Sequence, residues 1–132
     1  MMTITMLMEV IKMAQNLDAL INKVGHEIVE KIKNKGDKKT KSKYKNEIDK
    51  ALGVLSNDGV YAYYVYVKSK KVDDVFIDEL KQITKFIKEP EIELNQKFFE
   101  DLSQDLNGLL FFREILEKIL IYARYHAKAM GD

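Results

Sequence analysis

Leu7, Val10, Ala14, Leu17, Ile21, Val24 and Ile28 follow one another at alternating steps of three and four. That rhythm puts them on one stripe of a helix. It predicts a first helix from about Thr5 to Lys33, with Met6, Met13 and Leu20 widening the stripe so that it packs against two neighbours. Gly25 lies inside this helix, where it costs about 1 kcal/mol relative to Ala and allows a close helix crossing. A second, shorter helix carries Tyr44, Ile48, Leu52 and Leu55. Ser56-Asn57-Asp58-Gly59 then interrupts it with residues suited to end one helix and cap the next.

Val60 to Val67 is β-branched or aromatic except for Ala62, and local propensity alone favours a strand. No other segment reads as a strand to pair with it, and a lone strand leaves its backbone donors without partners. A helix is therefore predicted. A fourth helix spans about Asp73 to Lys88, with Phe76, Leu80, Ile83 and Ile87 on one face and Pro90 ending it. Asn95 caps a fifth, with Phe98 or Phe99, Leu102, Leu106 and Leu109 turned inward. The last helix, Leu109 to Met130, is apolar almost all round at Leu109 to Phe112 and Ile119 to Ile121, as a central helix is. The expected fold is an all-α, compact bundle of five to six helices. Residues 1–132 form a single helical domain, with a Lys-rich loop around 33–43.

Composition agrees. At 132 residues the chain suffices for one core, 46% apolar and 33% charged residues suit a globular domain, and six Gly with one Pro favour helices. The absence of Cys excludes disulfides, thiolate metal sites and Cys nucleophiles, and fits a cytoplasmic protein. No run is long and apolar enough to predict a membrane partner. The apolar start, Met1 to Ile11, lacks a basic leading region and a small-residue cleavage site, so it reads as the first helix.

The net charge of +1 says nothing about partners, but charge is segregated along the chain. Lys31, Lys33, Lys35, Lys38, Lys39, Lys41, Lys43 and Lys45 face only Asp37, a net +7 over fifteen residues. From Asp73 to Asp105 the net charge is −6. Gly36, Asp37, Thr40 and Ser42 are poor helix formers, so the basic run is expected as a loop. It is either a solvated surface or an electrostatic footprint for phosphates without sequence readout. The RNA-binding candidates are Lys33, Lys35, Lys38, Lys39, Lys41, Lys43 and Lys45, joined by Lys68, Lys70, Lys71, Arg124 and Lys128 if folding brings these together.

Catalytic chemistry is hard to assemble. His26-Glu27-Ile28-Val29-Glu30 starts like a zinc-protease helix, but Glu30 stands where the second His belongs and no third ligand follows at suitable spacing. Arg124 and His126 are two apart on different helix faces, not at the wider spacing used by helical RNases. Ser42, Ser56, Ser69 and Ser103 have no adjacent His with an orienting group. No phosphate-cradling Gly loop occurs, and Asp73-Asp74 and Glu100-Asp101 read as helix-start and solvated residues. The chain is expected not to be an enzyme, with no catalytic, cofactor-binding or metal-binding residue and no cofactor. Met1, Met2, Met6, Met8 and Met13 read as half core at helical spacing, against the alternative of an adaptable binding face. Tyr61, Tyr63, Tyr64 and Tyr66 divide between core and surface, against the alternative of base stacking.

Two segments carry a family resemblance. Leu55-Ser-Asn57-Asp58-Gly59-Val60, running on to Val67-Lys68-Ser69-Lys70, resembles an Asn-Gly-Leu entry into an apolar helix that finishes with Ser-Lys. Leu110-Phe-Phe112-Arg113-Glu114, continuing to Tyr122-Ala-Arg124-Tyr125, is similar to a last helix with an apolar-aromatic start and a basic-aromatic finish. Both are features of the small helical subunit, the fifth Cmr protein, of type III-B CRISPR RNA-guided effector complexes. The chain departs from that pattern at Ala51-Leu52, where the family carries Leu-Pro, and near Ile121-Tyr122, where it carries a Trp. The resemblance implies a non-catalytic, prokaryotic antiviral-defence subunit that stacks along the filament and contacts guide and target RNA through backbone. Its implied partners are the other subunits of the complex and copies of itself. The rival reading is a helical interaction or adaptor module, homodimeric or antitoxin-like, that binds no RNA.

Overall fold

The computed structural model describes residues 3–86 and 93–131. They form helices α1 (Ile4–Lys33), α2 (Lys38–Asp58), α3 (Val60–Ser69), α4 (Asp73–Phe76), a 3₁₀ helix (Asp78–Phe86), α5 (Gln96–Ser103) and α6 (Leu106–Met130). No strand occurs among the described residues, and the all-α bundle stands.

Val60 to Val67 is helical, as expected. Tyr63 and Val67 are fully buried, and the Tyr63 hydroxyl donates to the Phe76 carbonyl at 2.7 Å. The joint between α2 and α3 is Gly59, whose φ of +97° lies where a side chain would strain the backbone. Asn95 accepts from the Phe98 amide at 3.0 Å to cap α5. Asp105 caps α6 by accepting from the Gly108 amide at 3.2 Å, so α6 starts one turn earlier than the apolar run indicates.

The core is one cluster drawn from every helix. Its axis is the α1–α6 pair. At Gly25 a side chain would meet Tyr122 Cβ at 3.0 Å, the Ile119 carbonyl oxygen at 3.1 Å and the Ala123 nitrogen at 3.2 Å. The missing side chain is what lets the two backbones touch. Phe98, Phe99 and Phe112 close the other end in edge-on and tilted contacts, with Tyr64 stacked on Phe99 at 4.5 Å between centroids.

Three expectations need correction. The basic run is not a loop over 33–43: the turn is confined to residues 34–37, and α2 begins at Lys38. Asp37 accepts from the Thr40 amide at 2.7 Å, Gly36 makes the reversal at φ +94°, and Lys is itself a good helix former. Tyr44, Ile48, Ala51 and Leu55 then dock the helix on the core.

The segment after Asp73 is not one α-helix but a single turn followed by 3₁₀ helix. Ile77, Leu80 and Ile83 are all buried at steps of three, the period of that helix. Ile87, Lys88 and Pro90, like Met1 and Met2, lie outside the described residues.

The third correction concerns α1. Met6, Met8 and Met13 are exposed, together with Ile4, Leu7, Val10 and Ile11. The stripe is continuous, but the bundle covers it only from Leu17 onward. The neighbours that the pattern calls for are absent along its first three turns among the described residues.

Candidate nucleic-acid interface

Three helix ends meet at one place. Gly25 lies against Ile119, Tyr122 and Ala123, while Val29 and Ile32 share a groove with Ala127 and Gly131. The helices α1 and α6 therefore run in the same direction and end at the same level, about two turns beyond their crossing. The short turn through Gly36 returns the chain there as the start of α2. The groove between these ends holds about 560 Å³ and is lined by Lys33, Lys38, Lys41 and Lys45 over Val29, Ile32 and Ala127. A second hollow of about 350 Å³ shares Lys45, Ala127 and Gly131 with it and adds Arg124, Lys128 and one acid, Asp49.

Six of the twelve basic candidates thus converge. Lys33 and Lys38 are exposed, and Lys41 is half-buried in the groove wall. Lys45 donates to the Gly131 carbonyl at 3.0 Å, and Arg124 lies 3.8 Å from Asp49. Five of the six are Lys, compact charges that attract phosphate without the fixed fork geometry of Arg. Such a surface follows a polyanion by charge and leaves its sequence unread.

The other six do not join them. Lys39 and Lys43 are exposed but line neither hollow. Lys35 is bound to Asp74 and lies 4.7 Å from the centre of the Tyr44 ring. The Tyr44 hydroxyl also donates to Asp74, at 2.9 Å, and Lys31 bonds the Asp74 carbonyl and approaches Glu79 at 3.3 Å. Burial raises the Asp74 pKa, but the bonds from Lys35 and Tyr44 outweigh it and hold the carboxyl below its ordinary value. The hydrogen bond to Asp74 raises the Lys35 pKa above its own. This knot ties the α1–α2 turn to α4. Lys68 pairs with Asp73 at 3.4 Å, Lys70 lies 5.7 Å from the Tyr66 ring centre, and Lys71 is exposed at φ +59° beyond α3.

His26 and His126 meet edge-on, with ring centres 5.3 Å apart where α1 crosses α6. His126 Nε2 lies 3.1 Å from Asn22 Oδ1, and His26 Nε2 lies 3.7 Å from Glu30 Oε1. Among the described residues no group of three or more His, Cys, Asp or Glu is placed to hold a metal ion. Tyr63 and Tyr64 are buried, and Tyr61 and Tyr66 are half-buried against the core. Tyr66 is pushed up to about 12 by burial and by its hydrogen bond to the buried Glu47. Among the residues whose burial is described, the exposed aromatic rings are instead Tyr122 and Tyr125 on α6. Sequence reasoning passed them over as part of a helix finish. Their signal is position: both lie in the last three turns of the helix that brings Arg124 to the second hollow.

No protein-family model, curated protein or solved structure matches the chain. No described helix is long and apolar enough to cross a membrane.

Proposed function

We propose that the chain is a non-catalytic RNA-binding subunit, of the kind found as the small helical component of type III-B CRISPR effector complexes, and that it holds RNA by its phosphates along the α1–α2–α6 groove. The observation that carries this reading is the convergence of Lys33, Lys38, Lys41 and Lys45, from the adjoining ends of α1 and α2, with Arg124 and Lys128 from the sequence-distant end of α6. Binding is weak and indifferent to sequence. Each phosphate neutralised on a single strand releases condensed counterion, so four to six contacts give a slope of roughly −3 to −4 in log affinity against log salt.

The test is fluorescence anisotropy with a labelled single-stranded RNA, starting at low salt. Replacing Lys33, Lys38 and Lys41 by Glu should abolish binding and leave the fold intact. Replacing Lys39, Lys43 and Lys71 by Glu makes the same change in net charge outside the groove and should retain most of the affinity. Equal losses in the two variants would overturn the assignment to the groove.

A second reading rests on the uncovered apolar face of α1, from Ile4 to Met13. Contiguous apolar surface of this kind marks protein contact. It supports a helical adaptor or homodimer in place of an RNA binder, or subunit contact, self-stacking included, within an RNA-bound assembly. Light scattering separates a monomer from a dimer. A Leu7→Glu, Val10→Glu variant that changes the mass but not RNA binding would show that the two surfaces are independent.

A further inference from the structure

An exposed aromatic ring stands next to two of the residues that line the second basic hollow. Tyr125 is 58% exposed, one helical turn before Lys128 on the same edge of α6. The guanidinium of Arg124, which lines the second hollow, lies 5.9 Å from the centre of the Tyr125 ring. That distance falls inside the range of cation–π attraction. Tyr122 is also exposed, but its Cβ lies over Gly25 at the α1–α6 crossing and it lines neither hollow. The tyrosines of α3 are turned wholly or partly into the core.

A groove lined by Lys alone would take single-stranded RNA, duplex RNA or any other polyanion with little distinction. An aromatic ring beside it changes that. Every base has a π-face, but only an unpaired base can turn it toward a protein side chain. We propose that Tyr125 is a base-stacking platform beside the second hollow of the phosphate site, and that it makes the site selective for single-stranded over duplex nucleic acid without reading sequence. The proposal rests on the phosphate-groove reading and adds a contact which that reading does not require.

The experiment compares wild type, Tyr125→Ala and Tyr125→Phe on three RNAs of one length: an unstructured strand, the same strand with abasic sites, and the strand annealed to its complement. Melting curves confirm that the variants fold, since an exposed ring is not needed by the core. Loss of one stacked base weakens binding by roughly 5- to 150-fold. Tyr125→Ala should show that loss on the unstructured strand with its salt slope unchanged, and Tyr125→Phe should retain the affinity. Wild type on the abasic strand should bind as weakly as Tyr125→Ala does on the intact one. A 2-aminopurine in the strand should be quenched by wild type and not by Tyr125→Ala. If wild type binds intact and abasic strands alike with the expected salt slope, the platform is disproved and the groove stands. If wild type shows no salt-dependent binding to any of the three, the groove reading fails and the platform fails with it.

Discussion

The hydroxyl of Tyr63 and the carboxyl of Asp74 each join elements that apolar packing alone would leave loosely related. Tyr63 is wholly buried, and its one polar atom donates to the Phe76 carbonyl. Burial of the phenol pushes its pKa far above the ordinary value, so it remains a neutral donor. Tyr63→Phe removes the donor and leaves a buried carbonyl unpartnered, which should cost about 1–3 kcal/mol in urea denaturation. Asp74 acts at the surface, gathering Lys35, Tyr44 and Lys31. Its folded pKa lies below the unfolded value, so its contribution is fully present above the unfolded pKa near 4 and is lost as pH falls through the folded one. Asp74→Asn should therefore lower stability at pH 7 and flatten its decline between pH 4 and pH 2, as thermal melts across that range would read. This knot was not legible in the sequence. Lys35 and Asp74 appear there as members of a basic run and an acidic stretch, and only the fold shows that they bind each other.

Among the helices, what the sequence revealed and what it concealed divide on physical lines. α1, α3, α5 and α6 were legible because period, cap residues and the lack of a pairing strand agree. The interior Gly25 marked the close crossing correctly. Gly25→Ala gains up to about 1 kcal/mol in helix propensity but forces a methyl against the backbone of α6. Overpacking costs about 1–3 kcal/mol, so a net loss is expected in chemical denaturation. Gly59→Ala should also destabilise, by about 1–2 kcal/mol, because its φ is positive and not because of crowding. Two elements were misread. The start of α2 was hidden by a Lys density that resembles a loop, although Gly36-Asp37 followed by Thr40 is a turn and cap signature. The 3₁₀ helix was hidden because a spacing mixed from threes and fours looks α-helical until burial shows which threes matter.

Across the whole molecule the basic site was legible in its ingredients and not in its assembly. The Lys run, Arg124 and Lys128 were visible as charges, but their meeting depends on α1 and α6 running the same way from their crossing. The same geometry excludes Lys39, Lys43, Lys68, Lys70 and Lys71, which no spacing rule would have removed. The arrangement also leaves α1 in two unlike states. From Ile21 to Ile32 it is locked into the core, whereas from Ile4 to Met13 its apolar side chains are exposed. A lone helix shorter than about 12–15 residues is marginal in water. Among the described residues the outer turns have only their own hydrogen bonds and the Thr3 cap to hold them, and they are expected to open without the bundle unfolding. Amide hydrogen exchange should rise steeply toward the start of this single helix, with protection near that of global unfolding around Val24 and Ile28 and almost none before Ala14. Anything that binds the outer turns must order them as it binds. The entropy so lost would weaken that contact and keep it readily reversible.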